Sequence, residues 1–427
     1  MKYCFLLLLF SSQLVAQTYY YPPNNSDEWA TINPEDLGWC TDRVDSLYQF
    51  LDAQHTKGFI ILKEGNIVLE QYFDDFTQES NWYWASAGKS LVATLIGIAQ
   101  AEGALDINDA TSDYLGEGWT SATTQQEAAI KIKHQLSMTT GLSDFADDPN
   151  CLTADCLEYL QAPGERWAYY NAPYRLLQDV LSTTSGLSIN AHTNQKLGND
   201  IGLSGLWINH VFWSNARGMA RFGHLILTEG MWDGELLLTD QSYFQDMVNP
   251  SQSLNPSYGY LWWLNGKGQY QVPAPGFQIN INEDLVPNAP ADAFAALGKN
   301  DQKIYVVPSL DMVVVRVGDK AFEESLAVSA FDNALWQKIN ELACTVNTSD
   351  QSQINQTKIY PNPTSDNIQI ETDIALDKLV LFNQYGQRIH ISVAERTIFM
   401  ENLPKGIYFL SVTTEAKQQF FQKIIKI

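Results

Sequence analysis

Residues 86–99 read SAGK followed by SLVATLIGIA. The part from Leu91 to Ala99 is apolar nearly all round, which is typical of a helix buried inside a domain. Residues three apart on a helix are neighbours, so Ser86 and Lys89 can share a hydrogen bond. Burial lowers the pKa of a lysine, because the ammonium form loses its hydration. The pattern is therefore compatible with a serine nucleophile that has a lysine as its base, a pairing that needs no histidine, but by itself it favours a simple helix cap.

Two other interpretations of this stretch are open. The serine can simply cap the helix while the lysine stays in solvent. Residues 88–90, Gly-Lys-Ser, also copy the end of a phosphate-binding loop, but the first glycine of that pattern falls on Tyr83. Residues 82–84 are aromatic where a flexible phosphate cradle is needed. The sequence therefore argues against nucleotide binding.

The chain is strongly acidic. It has 427 residues, 45% of them apolar, and a formal net charge of −23, so it can bury a large core and is expected to form two or more folded units. From Thr357 onward it carries 8 basic and 7 acidic residues, so the excess of acid belongs to the preceding part. A negative field opposes nucleic acid and anionic membrane surfaces. We therefore predict no nucleic-acid partner.

The amino-terminal residues predict export. Residues 1–16 have a charged start, a short apolar core and small residues at the exit, which are the marks of a signal peptide, and we place the cleavage after Ala16. No later stretch has the roughly 20 apolar residues that a membrane-spanning helix needs. Residues 17–30 are polar and rich in proline and asparagine, which predicts a disordered lead-in.

The cysteines and histidines limit the disulfides and metal sites that the chain can form. Removal of a signal peptide leaves Cys40, Cys151, Cys156 and Cys344. An exported protein can form disulfides, and four cysteines allow three pairings, among which the sequence does not choose. The six histidines form no cluster with metal-ligand spacing, so no metal site is predicted.

Alternating and periodic segments predict an α+β fold over residues 31–345. Residues 59–62 and 67–70 form a hairpin across a Gly-containing turn, and residues 303–307 and 312–317 form another. Between the two hairpins the chain is mostly helical. We therefore expect an antiparallel sheet flanked by helices, a helical subdomain, and a cleft between them.

The last part of the chain has a different character. Residues 346–357 are polar and predict a linker. Short strands at 368–371, 379–382 and 407–412, separated by glycine-containing turns, predict a small β-sandwich over residues 358–427.

Further polar residues complete a candidate site. Residues 169–171 read Tyr-Tyr-Asn. A phenol beside a cationic lysine loses its proton more easily, and the amide of Asn171 can hold a substrate carbonyl or the lysine. Residues 298–302 read Gly-Lys-Asn-Asp-Gln and place Lys299 at an edge strand facing the cleft.

With these three motifs in order, residues 35–343 resemble the family of serine β-lactamases, penicillin-binding proteins and related esterases, particularly class C-like and 6-aminohexanoate-dimer-hydrolase-like members. SAGK at 86–89 is similar to the S-x-x-K motif of the family, residues 169–171 to Y-x-N, and residues 299–301 stand where the family has K-T-G or H-x-G. The resemblance implies a β-lactamase or transpeptidase-like fold and acyl transfer without metal or organic cofactor.

Site roles follow from the same resemblance. It implies that Ser86 attacks an acyl carbonyl, that Lys89 and Tyr169 share the base and acid roles, and that Asn171 orients the substrate. Substrate contacts are then expected from Lys299, Asn300 and Gln302, with the oxyanion between the main-chain N–H groups of Ser86 and Gln302. Which of Lys89 and Tyr169 takes the first proton stays open.

Asp301 departs from the pattern, because the family usually has glycine there. A side chain facing the cleft narrows it, so Asp301 is expected to hinder β-lactam turnover. The leading hypothesis is a secreted hydrolase of a small ester, amide or peptide. The alternatives are a β-lactamase or D-alanyl-D-alanine carboxypeptidase, and a catalytically silent surface-binding protein on the same scaffold.

The tail resembles the type A C-terminal sorting domain of the type IX secretion system. The likeness rests on IYPNPT at 359–364, LPKGIY at 403–408 and the terminal lysine and isoleucine residues. It implies a partner in that secretion machinery, passage across the outer membrane, removal of the tail, and a secreted or cell-surface enzyme. The competing interpretation is a carbohydrate-binding or adhesive β-sandwich.

Overall fold

The computed structural model describes residues 19–322, 328–344, 357–372, 375–383, 388–389, 391–394, 396–414 and 419–427. They fall into two compact units that divide between Ala343 and Cys344. The expected signal peptide lies outside the described residues, as does the expected linker except for Thr357.

The first unit combines helices and short strands, numbered in chain order. The helices are α1 (Thr41–Ala53), α2 (Gly88–Ala101), α3 (Ser112–Leu115), α4 (Thr124–Ala128), α5 (Ile132–Leu136), α6 (Asn171–Ser185), α7 (Ile189–Thr193), α8 (Asn199–Ile201), α9 (Ala216–Leu227), α10 (Gln241–Met247) and α11 (Ala330–Asn340). The strands are β1 (Thr56–Lys63), β2 (Asn66–Tyr72), β3 (Trp82–Tyr83), β4 (Gly205–Ile208), β5 (Val211–Ser214), β6 (Met231–Trp232), β7 (Glu235–Leu236), β8 (Trp263–Leu264), β9 (Tyr270–Gln271), β10 (Asn280–Ile281), β11 (Phe294–Gly298), β12 (Gln302–Val307) and β13 (Met312–Gly318).

A six-stranded sheet with the order β2-β1-β13-β12-β11-β8 forms the base of this unit. All its pairings are antiparallel, with Ile60 opposite Val315 and Ile304 opposite the same valine. The two predicted hairpins are β1–β2 and β12–β13, so both are confirmed. The two hairpins meet through β1 and β13, which brings distant parts of the sequence into one sheet.

Helices cover both faces of the sheet. Helix α9 lies so close to one face that a Cβ on Gly223 would meet Val313 at 2.5 Å and Ile304 at 2.9 Å. On the other face, Trp336 of α11 packs edge-on against Tyr305, and Phe331 of the same helix stacks on Phe50 of α1. The structure thus has the predicted sheet between helical layers.

Helix α2 is the buried helix that residues 86–99 predict. Its residues from Gly88 to Ala99 are all buried. Gly97 permits the close approach of α10, because a Cβ there would lie 2.4 Å from the ring of Tyr243. The prediction is confirmed, and the start of α2 is thereby fixed inside the unit.

Residues 19–30 differ from the disordered lead-in that their composition predicts. Tyr20 donates its main-chain N–H to Glu64 and accepts a hydrogen bond from the His224 ring, each at 2.8–3.0 Å. The buried guanidinium of Arg221 donates to the carbonyls of Pro22 and Pro23. The segment is held because buried donors on α9 find their acceptors in its main chain. Composition does not reveal such partners.

The second unit contains two four-stranded antiparallel sheets. One has the order β14-β15-β19-β18 and the other β17-β16-β20-β21. The strands are β14 (Lys358–Tyr360), β15 (Asn367–Glu371), β16 (Leu376–Asn383), β17 (Arg388–Ile389), β18 (Ser392–Ala394), β19 (Thr397–Phe399), β20 (Gly406–Thr414) and β21 (Gln419–Lys426). Ile368 and Ile398 of the first sheet share one core with Leu381, Leu410 and Ile424 of the second. The small all-β sandwich is therefore present, with a core of its own.

A bilayer-spanning helix is not found among the described residues, since none of their helices is both long and apolar enough.

Candidate active site

Ser86 lies in a one-turn 3-10 helix, Ala85–Ala87, that leads directly into α2. Ala85 has a φ of +49°, a left-handed conformation that costs a residue with a Cβ roughly 1 kcal/mol or more. The turn is held from behind by Trp84, whose main-chain N–H donates to Phe212 at 2.8 Å and whose indole donates to Ser214 at 2.7 Å. Ser86 itself keeps partial exposure. The fold therefore presents this hydroxyl at a fixed position beside solvent.

Lys89 is the partner that the spacing predicts. Its Nζ lies 2.8 Å from Ser86 Oγ and 2.9 Å from Asn171 Oδ1. The same atom lies over the rings of Tyr174 at 4.1 Å and Tyr169 at 4.7 Å. Burial, reinforced by the positive charge of Arg175, holds the pKa of Lys89 well below its ordinary value. A neutral amine in this position can accept the serine proton.

Tyr169 is also next to Ser86, but its acidity differs from the prediction. Burial raises the pKa of the Tyr169 phenol, and hydrogen bonding with Ser86 offsets only part of that rise. Its ring packs against Trp263 at 5.6 Å and Trp167 at 6.1 Å. The expectation that this phenol loses its proton easily is therefore wrong. Burial thus favours the protonated form of the Tyr169 phenol.

Asn171 is the first residue of α6, and its side chain links Lys89 to a loop. Its Oδ1 accepts from Lys89, and its Nδ2 donates to Asn150 Oδ1 at 3.1 Å. Sequence reasoning missed Asn150 and Arg175, since no motif spacing connects Asn150 to the lysine, and the short distance of Arg175 from Asn171 in the sequence does not identify a role. It named Tyr174 only as one of several aromatic residues that could line the pocket.

The loop at residues 143–158 carries Asn150 to the site. Its base is closed by the main-chain N–H of Ser143, which donates to Glu158 at 2.8 Å. Cys151 and Cys156 form a disulfide within the loop, which selects one of the pairings that the sequence left open. Cys40 and Cys344 are disulfide-bonded as well.

The end of strand β11 lies against the nucleophile turn. A Cβ on Gly298 would meet the carbonyl of Trp84 at 2.4 Å and the main-chain nitrogen of Ala87 at 3.1 Å. Lys299 follows immediately and is exposed. The Asn300 side chain instead donates to the Tyr83 hydroxyl at 2.8 Å, which fixes this turn to β3.

Gln302 does not fit its expected place in the oxyanion site. The residue has no exposed surface, and its amide donates to the carbonyls of Asn300 and Gly318 at 2.7 Å each. It lies on β12, which is farther than β11 from the β8 edge of the sheet. Since a residue without exposed surface does not meet a bound substrate, the expectation for Gln302 is wrong.

Asp301 does not face the cleft. Its carboxylate accepts from the Ser329 hydroxyl at 2.6 Å and the Ala321 N–H at 3.1 Å, and it lies 3.2 Å from the Lys303 ammonium. These partners hold the pKa of Asp301 below its ordinary value despite burial. The residue adopts a left-handed φ of +61°, which turns the side chain into this buried network. The expectation that Asp301 narrows the substrate cleft is therefore wrong.

In the described part of the chain, no group of three or more His, Cys, Asp or Glu residues is placed to hold a metal ion.

The fold and the serine–lysine pair define a class of protein, the hydrolases built on the penicillin-binding protein and β-lactamase scaffold. A family model described as Beta-lactamase matches residues 47–334, which is more than half of the chain. The protein therefore belongs to the β-lactamase family. A second model, Secretion system C-terminal sorting domain, matches residues 358–427.

Relatives and solved structures agree with the fold. An uncharacterised protein of Alkalihalophilus pseudofirmus is 23% identical over 316 residues, which cover 64% of this chain and 86% of the relative. A putative 6-aminohexanoate-dimer hydrolase from Bacillus anthracis superposes with a TM-score of 0.56 at 19% identity, covering 77% of this chain and 88% of that one. A family VIII carboxylesterase superposes with a TM-score of 0.52 at 14% identity, covering 71% and 98%.

Proposed function

We propose that the protein is an exported serine hydrolase that cleaves an ester or amide bond through an acyl-enzyme on Ser86. The observation that carries this proposal is the 2.8 Å contact between Ser86 Oγ and the Nζ of a buried lysine. Membership of the β-lactamase family supports the same chemistry. The neighbouring structures named as a putative 6-aminohexanoate-dimer hydrolase and a family VIII carboxylesterase support the choice of amide and ester substrates.

Lys89 is the first base in this mechanism. Its neutral amine takes the proton of Ser86 as the serine oxygen attacks the carbonyl carbon, and the Tyr169 phenol then supplies a proton to the leaving group. Water next attacks the acyl carbon and gives one proton to the Tyr169 phenolate. The bond between Ser86 Oγ and the acyl carbon then breaks as the Lys89 ammonium returns its proton to that oxygen, which releases the acid and restores the starting state. The opposed pKa shifts of Lys89 and Tyr169 support this division of roles.

The negative oxygen of the tetrahedral intermediate needs two donors. One is the main-chain N–H of Ser86. Because β11 lies against the nucleophile turn and Gln302 is buried, we assign the other to the main-chain N–H of Lys299, which is an exposed residue at the end of β11. One such donor typically contributes about 3 kcal/mol of barrier lowering. The Lys299 ammonium would attract an anionic group of the substrate.

A fluorophosphonate probe tests the proposal. The wild-type protein should be labelled on Ser86, as located by peptide mass mapping, and Ser86→Ala should remove the label. Labelling that persists in this variant would contradict the proposal. A wild-type protein that forms no adduct with any acylating agent would instead indicate the silent surface-binding protein.

β-Lactam turnover remains a second candidate activity. The sequence argued against it through Asp301, but that carboxylate is withdrawn into the network around Lys303. A panel of p-nitrophenyl esters, anilides and a chromogenic cephalosporin, each measured with wild type and Ser86→Ala, separates the candidates. Ser86-dependent cephalosporin hydrolysis faster than ester hydrolysis would favour the β-lactamase or D-alanyl-D-alanine carboxypeptidase alternative.

We propose that residues 358–427 direct export through the type IX secretion machinery. The match to the sorting-domain model supports this function for the tail. In a host that has this machinery, the full-length protein should reach the cell surface or the medium without its tail, whereas a variant ending at residue 345 should stay inside the outer membrane. Equal export of both would contradict the proposal.

A further inference from the structure

Four polar side chains form a continuous chain of hydrogen bonds that starts at Lys89 and ends at the surface. Lys89 Nζ contacts Asn171 Oδ1 at 2.9 Å, Asn171 Nδ2 contacts Asn150 Oδ1 at 3.1 Å, and Asn150 Nδ2 contacts Asp148 Oδ1 at 3.2 Å. The same Asp148 oxygen accepts the main-chain N–H of Asn150 at 2.9 Å. Asp148 is exposed, while both amides are partly buried.

The carboxylate end fixes the direction of this chain. An ionised carboxylate can only accept hydrogen bonds, so Asn150 must turn its NH2 toward Asp148. The carbonyl oxygen of Asn150 then faces Asn171 and accepts from the NH2 of that residue. The carbonyl oxygen of Asn171 is thereby left facing Lys89.

The direction matters because of the lone pair on neutral Lys89. The amine nitrogen has two N–H bonds and one lone pair. One N–H is directed to Asn171 Oδ1, and the faces of the Tyr174 and Tyr169 rings, at 4.1 and 4.7 Å, suit the other. The remaining contact is Ser86 Oγ at 2.8 Å, so in the neutral amine of the proposed mechanism the lone pair is the group left to accept the serine proton. If the Asn171 amide were reversed, its NH2 would donate a hydrogen bond to the Lys89 lone pair, which could then not accept the serine proton.

We propose that Asn150 and Asp148 are positioning residues that fix the Asn171 amide and so keep the Lys89 lone pair directed at Ser86. This inference rests on the proposed function, since it concerns the base of that reaction. No proton travels along the amides. They set only the orientation of the base, from a loop that the Cys151–Cys156 disulfide closes next to Asn150.

The rate of Ser86 labelling by a fluorophosphonate tests the inference, with the full-length protein and with the melting temperature of each variant measured alongside. Asn150→Ala should lower the second-order rate constant about tenfold, which is the effect of losing roughly one net hydrogen bond from the transition state. Asp148→Asn should lower it about threefold, because an amide at 148 can face Asn150 in either direction. Asp147→Asn removes the same charge one residue away and should leave the rate unchanged.

The decisive variant is the double exchange D148N/N150D. It keeps the net charge and moves the carboxylate from residue 148 to residue 150, directly beside Asn171. The carboxylate at 150 again forces Asn171 to turn its NH2 outward, so the rate should recover to within about threefold of wild type. A merely structural role for the loop does not predict this recovery.

Three results would overturn the inference: an unchanged rate in Asn150→Ala, an equal effect of Asp147→Asn and Asp148→Asn, or a double exchange no faster than Asn150→Ala. If Asn150→Ala does not fold, the comparison of the aspartate variants and the double exchange still decides. Failure of the proposed function is distinguishable, because the wild-type protein itself would then show no labelling at Ser86.

Discussion

Lys89 is the residue on which the proposed mechanism depends most. Arginine at this position cannot lose its proton near neutral pH, so Lys89→Arg should lower the Ser86 labelling rate at least about 100-fold, which is the usual contribution of a general base. Lys196→Arg is the matched control, because that lysine only pairs with Glu102 at the surface. A Lys89→Arg rate within tenfold of wild type would move the base role to Tyr169.

The wild-type rate should also depend on pH through Lys89. Its burial-lowered pKa means that the reactive neutral amine predominates above that pKa and is lost as the pH falls through it. We therefore expect the labelling rate to rise with pH and level off well below the pKa of a solvated lysine. A rate that rises only near the pKa of a solvated lysine would show that Lys89 is not desolvated.

Asp301 should matter for stability rather than for catalysis. Asp301→Asn keeps the side-chain shape and suits the left-handed backbone, but it removes a buried charge that faces Lys303. Lys303 keeps a second carboxylate, that of Asp332 at 2.8 Å, so the variant loses only hydrogen bonds to a charged group and the urea-derived free energy of unfolding should fall by about 2 kcal/mol. The labelling rate of the folded variant should equal that of wild type. A changed labelling rate with an unchanged free energy of unfolding would indicate that the Asp301 side chain faces the substrate cleft.

At the residue scale, the sequence predicted contacts that follow from local spacing. Ser86 and Lys89 are neighbours because they share a helical turn, and the family resemblance supplied Asn171. The sequence did not predict the directions of the Asp301 and Asn150 side chains. The direction of Asp301 depends on its left-handed φ and on partners from a distant segment, and Asn150 reaches Asn171 only through the course of a loop.

Among the elements, the loop at residues 143–158 offers a direct test. A Cys151→Ala/Cys156→Ala variant loses a short cross-link, which should cost about 2 kcal/mol of stability or less. Because Asn150 adjoins this cross-link, the labelling rate should fall toward that of Asn150→Ala. Cys40→Ala/Cys344→Ala removes cysteines that the structure does not place in this loop and should not change the rate. Equal rates in both double variants and wild type would show that the cross-link does not hold Asn150.

Elements were predictable where the pattern was long and periodic. The fully buried α2 and the hairpins β1–β2 and β12–β13 follow from apolar runs and turn residues. The ordered conformation of residues 19–30 was not predictable, because it comes from hydrogen bonds to Arg221 and His224 rather than from the composition of the segment.

For the whole molecule, His224 makes stability depend on pH. Burial lowers the pKa of His224 to about 4, below the value of about 6.5 in an unfolded chain. The unfolded state therefore binds a proton first as the pH falls, and stability is lost between about pH 6.5 and 4. The loss from this residue should be about 3 kcal/mol in total. His224→Gln keeps an N–H donor for Tyr20 and should reduce the difference between urea midpoints at neutral and acidic pH. An unchanged difference would contradict the assignment.

The two units should be independent in stability. The sandwich has its own apolar core around Ile368, Leu381 and Leu410, separate from the core of the first unit. A chain ending at residue 345 should therefore melt at the same temperature as the first unit of the full-length protein and label Ser86 at the same rate. A lower melting temperature would show that the tail supports the hydrolase unit.

Gly298 limits how this protein can change during evolution. Its backbone is ordinary extended strand, yet any side chain would collide with the carbonyl of Trp84 at 2.4 Å. Substitution at position 298 would therefore require the nucleophile turn to shift. Adaptive substitutions should accumulate instead in the loop at 143–158, so homologues with different substrates would diverge there and keep glycine at 298.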